Sequence, residues 1–213
     1  MGRRAIILTL VLAIAAIAAY ACWPRKADLR SFDPAAMARL ETAMWRAYYD
    51  KRYPRLFYHL YQVSRTQFGF SPFDSLRIAL AAAQAAKTFQ RTRSREAANA
   101  AMPSLATYYR LLSSAAPGAF DAEAAARLEL DWWQARREAL SPGDYGVTIA
   151  RVAAITYGKP ADDSAMLAFG IGRAEAMTYR DRKGKAMTEH DWSEIEGRLR
   201  RGYRRLKAAV AGG

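Results

Sequence analysis

Thr188–Val210, TEHDWSEIEGRLRRGYRRLKAAV, is the stretch that decides the fold class. Thr188 is followed three residues later by Asp191, a pairing that satisfies free amides at a helix start. Trp192, Ile195, Leu199, Leu206 and Val210 then recur at helical spacing with Tyr203 beside them, so one face is apolar. Arg198, Arg200, Arg201, Arg204, Arg205 and Lys207 surround that stripe, and no acid follows Glu196. The spacing predicts a helix over 188–210 with a cation-rich exposed surface.

The same punctuation recurs upstream. Asp33-Pro34, Ser71-Pro72-Phe73-Asp74 and Ser141-Pro142-Gly143-Asp144 each place a capping side chain before a proline in the first turn. Asp121 precedes the run Ala122–Ala126 in the same manner. Gly158 with Pro160 two residues on marks a helix end, and Tyr53-Pro54, Ala116-Pro117-Gly118 and Lys183-Gly184 break other segments. No stretch alternates convincingly with period two, hairpin dipeptides are absent, and 45 residues are alanine, the best helix former. The expectation is an all-α chain with about eight helices at 34–52, 54–68, 72–90, 95–113, 121–140, 142–157, 162–182 and 188–210. They form one compact domain over 34–210 after a linker at 24–33. Pro103 falls inside the fourth helix and predicts a kink or a split there. Met37, Leu40, Met44 and Tyr48 mark the apolar face of the first helix; Leu128, Trp132, Ala135 and Ala139 mark that of the fifth.

Residues 1–23 have a different character. Ala5–Ala21 carries no charge, Arg3 and Arg4 precede it, and Trp23, Pro24, Arg25 and Lys26 follow. About 20 residues cross ~30 Å of hydrocarbon, and Arg4–Trp23 supplies them with Trp23 suited to the interface. Ala19-Tyr20-Ala21 also matches a signal-peptide cleavage pattern, and Cys22, the single cysteine, could carry a lipid. The reading taken is a single-pass membrane anchor through residues 5–23. Basic residues balance across the segment, and its signal-like character favours an exported, periplasmic domain over a cytoplasmic one.

Several chemistries lack their residues. The two histidines, His59 and His190, have Leu56 and Met187 three positions before them, so Glu-x-x-His di-iron pairs are missing. One cysteine excludes a thiolate zinc cluster, and no G-x-S-x-G elbow is present. Gly170-Ile171-Gly172 has Glu175 where a phosphate loop needs its third glycine, and it falls inside a helix, so close helix packing is its expected use. Neither a metal nor a cofactor is expected.

Two constellations remain. Glu129, Trp132, Trp133 and Arg136 share one sector of the fifth helix. A carboxylate beside indoles is the one low-ranking candidate for a catalytic acid; an ion pair from Glu129 to Arg136 or to another helix is the plainer use. In the first two helices, Trp45, Arg46, Tyr48, Tyr49, Arg52, Tyr53 and Tyr58 interleave aromatic and basic groups, which suits stacking with charge recognition. His59 shares a face with Leu56, Leu60 and Val63 and is expected at a hydrogen-bonded core edge. Trp45, Tyr49, Arg52, Trp133 and Arg136 therefore join the six cations of the last helix as candidate binding residues.

Thirty-three Lys and Arg against 20 Asp and Glu leave a formal charge of +13. The excess gathers at Lys87–Arg95 and in the last helix. The functional expectation is a membrane-anchored binding or assembly protein, an accessory subunit of a membrane complex. Its partner would be an acidic protein surface or the anionic bilayer. An exported enzyme acting on an anionic polymer such as peptidoglycan, with Glu129 as acid, is the alternative. A nucleic-acid binder requires a cytoplasmic domain and is disfavoured by the anchor.

Overall fold

The computed structural model describes residues 2–211; the side chain of Arg4, part of the expected basic flank, lies outside the described residues. The chain is 79% helical, with no strand among the described residues. The α-helices are α1 (Arg3–Cys22), α2 (Pro34–Tyr49), α3 (Tyr53–Gln62), α4 (Pro72–Gln90), α5 (Arg95–Ala98), α6 (Met102–Ser113), α7 (Ala122–Arg137), α8 (Pro142–Tyr157), α9 (Ser164–Lys183) and α10 (Glu189–Val210).

Local chemistry places these boundaries. Asp33, Ser71, Asp121 and Ser141 accept hydrogen bonds from first-turn amides of α2, α4, α7 and α8, and Thr188 with Asp191 forms a complete capping box on α10. Gly158 closes α8 in the left-handed conformation, φ 62°. Pro103 splits the expected 95–113 helix: α5 gives way to a 3₁₀ turn at Asn99–Ala101, and α6 begins with the proline in its first turn. The last turn of α3 widens into a π-helical segment, Val63–Gln67.

Successive helices pack on one another from α2 through α10, α5 excepted, and α10 returns to α2, closing the bundle. Phe32, Leu29, Met166, Ile195 and Leu199 are among its most deeply buried side chains. α8 and α9 cross closely at Gly146 and Gly170, where a Cβ on Gly170 would lie 2.3 Å from the Gly146 carbonyl oxygen. This gives Gly170 the packing use expected of it.

Two stripes differ from the expected ones. Ala139 lies beyond the end of α7 with φ 58° and is exposed; Trp132 and Ala135 are buried as expected, together with Ala125, Ala126, Leu130 and Gln134, and Leu128 is half-buried. In α2 the buried face runs through Met37, Ala38, Glu41 and Thr42, leaving Leu40, Met44 and Tyr48 half-buried. The face is rotated because it carries a buried carboxylate that an apolar pattern does not register.

α1 lies outside this core but touches α4. Within it Ala5–Cys22 has a mean hydropathy of 2.6 and none of the segment is buried. By length and composition it can cross a membrane. After five residues the chain docks: the Asp28 amide donates to the Phe68 carbonyl oxygen at 3.0 Å and the Leu29 amide to that of Ala115 at 2.9 Å.

Candidate functional site

A cleft of about 380 Å³ opens between α2, α4, α7 and α9. Trp45, Tyr48 and Tyr49 form one wall and Phe89 another; Trp132 and Trp133 stand behind, with Arg136, Arg137, Arg173 and Asp181 among them. Four of the residues selected from sequence, Trp45, Tyr49, Trp133 and Arg136, thus meet in one place. Arg52 does not join them; it is exposed and lies 3.7 Å from Asp50.

The arginines of the cleft are held by specific partners. Arg136 donates to both carboxylate oxygens of Asp181, at 3.0 and 2.8 Å, and to the Tyr49 hydroxyl. The Arg137 guanidinium lies 3.6 Å from the centre of the Phe89 ring and donates to the Phe89 carbonyl at 2.8 Å. Arg180 stacks on the Tyr49 ring, 3.1 Å from its centre. Aromatic faces attract such cations, so the rims of the cleft are stiffened by the groups that line it.

Behind the cleft lies a buried ionic framework. Arg173 Nε donates to Glu41 Oε1 at 2.6 Å, and the Tyr203 hydroxyl donates to Glu41 Oε2 at 2.6 Å. Burial works against the Arg173 charge, but Glu41, Tyr203 and Glu129 outweigh it and raise its pKa. Burial, and then the Glu41 charge, push the Tyr203 hydroxyl well above its ordinary range. Arg173 also lines a smaller chamber of about 180 Å³, with Tyr108, Tyr109, Glu129, Tyr157 and Tyr203 among apolar side chains.

Glu129 forms neither of the ion pairs expected of it. Its Oε2 accepts from the Tyr109 hydroxyl and the Trp132 indole, both at 2.8 Å, and its Oε1 from the Trp133 indole at 3.0 Å. Asp181 of α9 takes Arg136 instead, and the indoles three and four residues on reach back to Glu129, as helical geometry allows. Burial, and then the Glu129 charge, push Tyr109 well above its ordinary range.

The aromatic-basic run of α2 and α3 divides. Arg46 pairs with Glu189 at 2.8 Å, whereas Tyr53 and Phe57 line a separate groove with Lys87 and Arg91. His59 is half-buried, and its Nδ1 has no hydrogen-bond partner among the described residues, so the expected bond is not found there. Burial lowers its pKa, and so does Arg55.

On α10 all the expected apolar residues are buried. Two of the six cations are drawn into packing. Arg198 donates to Glu194 at 2.9 Å and lies over the Tyr179 ring; Lys207 donates to the Arg30 carbonyl and lies over Phe32. Arg200, Arg201, Arg204 and Arg205 are exposed and make no side-chain hydrogen bond or ion pair among the described residues.

Sequence reasoning missed Glu41, Arg173, Asp181 and Tyr109. A signal existed for two of them. Glu41 stands four residues after Met37, and Arg173 four after Phe169 and four before Met177, each a charge on an otherwise apolar face. No group of three or more metal-ligating side chains occurs among the described residues. No protein-family model matches the chain, and neither the curated proteins nor the solved structures contain a match.

Proposed function

We propose that this is a membrane-anchored helical binding or assembly protein, an accessory subunit of a membrane complex, whose basic α10 rests on an anionic surface. The observation that carries the reading is the set Arg200, Arg201, Arg204 and Arg205, exposed and unpaired on one helix among the described residues. The tether supports the leaflet as that surface. Only Trp23–Ala27 separate α1 from the docked chain, and five extended residues span at most ~17 Å. Lys207, bound to the Arg30 carbonyl, fixes the C-terminal end of α10 beside that docked segment. Arg204 and Arg205 stand within one helical turn of Lys207, so their charges lie close to wherever the anchor enters lipid. Each basic residue near an anionic leaflet contributes ~1 kcal/mol.

The same reading has the domain on the exported side with α1 retained, supported by the apolar, signal-like character of Ala5–Cys22. An acidic face on a partner protein is the other surface that would satisfy the same arginines. Binding is favoured over polymer cleavage because Glu129 is committed to three donors within its own fold.

The test uses full-length protein in nanodiscs. Cys22 is the single cysteine, so Arg204→Cys in a Cys22→Ser background reports one site. Its reaction with a neutral thiol reagent should be slower on phosphatidylglycerol than on phosphatidylcholine discs, and salt should remove the difference. Equal rates on both lipids would remove the leaflet contact. A mature chain beginning at Cys22, found by mass spectrometry of membrane fractions, would remove the anchor.

A further inference from the structure

We propose that the cleft between α2, α4, α7 and α9 is a binding site for a flat, ring-containing carboxylate, held at Arg173 and sandwiched by the cleft aromatics. This inference does not rest on the contact proposed for α10. Arg173 is 21% exposed at its side chain and uses only Nε within the protein, toward Glu41. Its two Nη groups have no acceptor among the described residues. A guanidinium largely withdrawn from water with both Nη groups unengaged favours a planar acceptor, and a carboxylate matches that geometry with two oxygens.

The surroundings define the rest of the ligand. Trp132 lies beneath the guanidinium, 5.2 Å from ring centre to Cζ. Trp45, Tyr48, Tyr49, Phe89 and Trp133 supply ring faces and edges around the opening, which suits offset or edge-on contact with a flat body. The volume of about 380 Å³ falls within the range of small-molecule sites. Charge also agrees. Within the lining itself Arg136, Arg137 and Arg173 outnumber Asp181, while Glu41 and Glu129 act on Arg173 from behind it.

The probe is 2-naphthoate, titrated into the detergent-solubilised full chain and followed by tryptophan fluorescence and calorimetry, with 2-naphthylamine as the donor-bearing control. Expected are saturable one-site binding of the carboxylate and much weaker binding of the amine. Arg173→Lys keeps the charge beside Glu41 but loses the forked donor, and should weaken naphthoate about tenfold. Trp45→Ala, at the half-buried edge of the cleft, should also weaken it, and keeps the test decisive if Arg173→Lys does not fold. Absence of saturable binding, equal affinity for the amine, or unchanged affinity in the folded variants would overturn the proposal.

Discussion

Arg173 and Glu41, 132 residues apart, are joined by a 2.6 Å contact from Nε to Oε1 in a core that leaves Glu41 1% exposed. The pair ties α9 to α2, and Tyr203 adds α10 through the second carboxylate oxygen. Removing one member strands the other in a low-dielectric interior, and that penalty exceeds the worth of the pair itself. Glu41→Ala should therefore cost ~3–5 kcal/mol in urea unfolding. Replacing Glu41 and Arg173 together with Leu should cost much less than the two single changes combined, a non-additivity read directly from a double-mutant cycle.

The α8–α9 crossing predicts opposite effects for two neighbouring glycines. A Cβ on Gly170 would lie 2.3 Å from the Gly146 oxygen and 2.5 Å from the Ala150 nitrogen. Both are backbone atoms, so the helices must separate, and Gly170→Ala should cost about 3 kcal/mol or more. A Cβ on Gly172 meets nothing within 4 Å. Gly172→Ala should stabilise α9 by up to ~1 kcal/mol. Thermal melts of the two variants check both signs.

The start of α10 should make stability acid-sensitive. The Tyr179 hydroxyl, Thr188 and Lys183 hold the Asp191 carboxyl well below the usual carboxylate range. A pKa depressed on folding adds stability that is fully present above the unfolded value of ~3.9 and is lost as pH falls below it toward the folded value. Asp191→Asn should flatten that acid limb while leaving the slope near neutrality unchanged. Unfolding free energies measured from pH 7 down to pH 2 report the difference.

Glu129 is expected to act through structure. Glu129→Gln leaves one oxygen for three donors and sets an amide N–H against an indole N–H. The cost should be ~1–3 kcal/mol. Trp132, 6% exposed, should cost ~3–5 kcal/mol on truncation to Ala. A polymer-cleaving activity in the wild type that vanishes in a folded Glu129→Gln variant would reverse this assignment.

Helix starts were readable because capping is local chemistry: Asp33, Ser71, Asp121, Ser141 and Thr188 each act on amides two or three residues away; the ends expected at 52 and 140 were not, and α2 and α7 stop at Tyr49 and Arg137. The α10 stripe was readable for the same reason, since its period lies within one segment. What the sequence concealed depends on pairs distant along the chain. Glu129 and Arg136 sit at helical spacing, yet Asp181, 45 residues beyond Arg136, takes the arginine. Arg198 and Lys207 look as free as Arg201 and Arg205 until Tyr179 and Phe32 are packed beneath them. The cleft follows the same rule: Trp45, Tyr49, Trp133 and Arg136 could each be selected, but Arg173, which connects them to the core, carries a charge on an apolar face. That is the pattern local reasoning treats as an interruption.

The most direct measurement is co-sedimentation of the domain lacking α1 with phosphatidylglycerol vesicles. The buried apolar core begins at Leu29, so this domain keeps all of it. Arg200, Arg201, Arg204 and Arg205 are replaced together by Gln, leaving the packed Arg198 and Lys207 and the Trp192–Val210 stripe in place. The wild type should sediment with the vesicles at low salt and be released near ~1 M, where the screening length falls to ~3 Å. The variant should melt like the wild type and stay in solution under both conditions. Vesicle binding by the variant equal to that of the wild type, or wild-type binding indifferent to salt, would contradict the account.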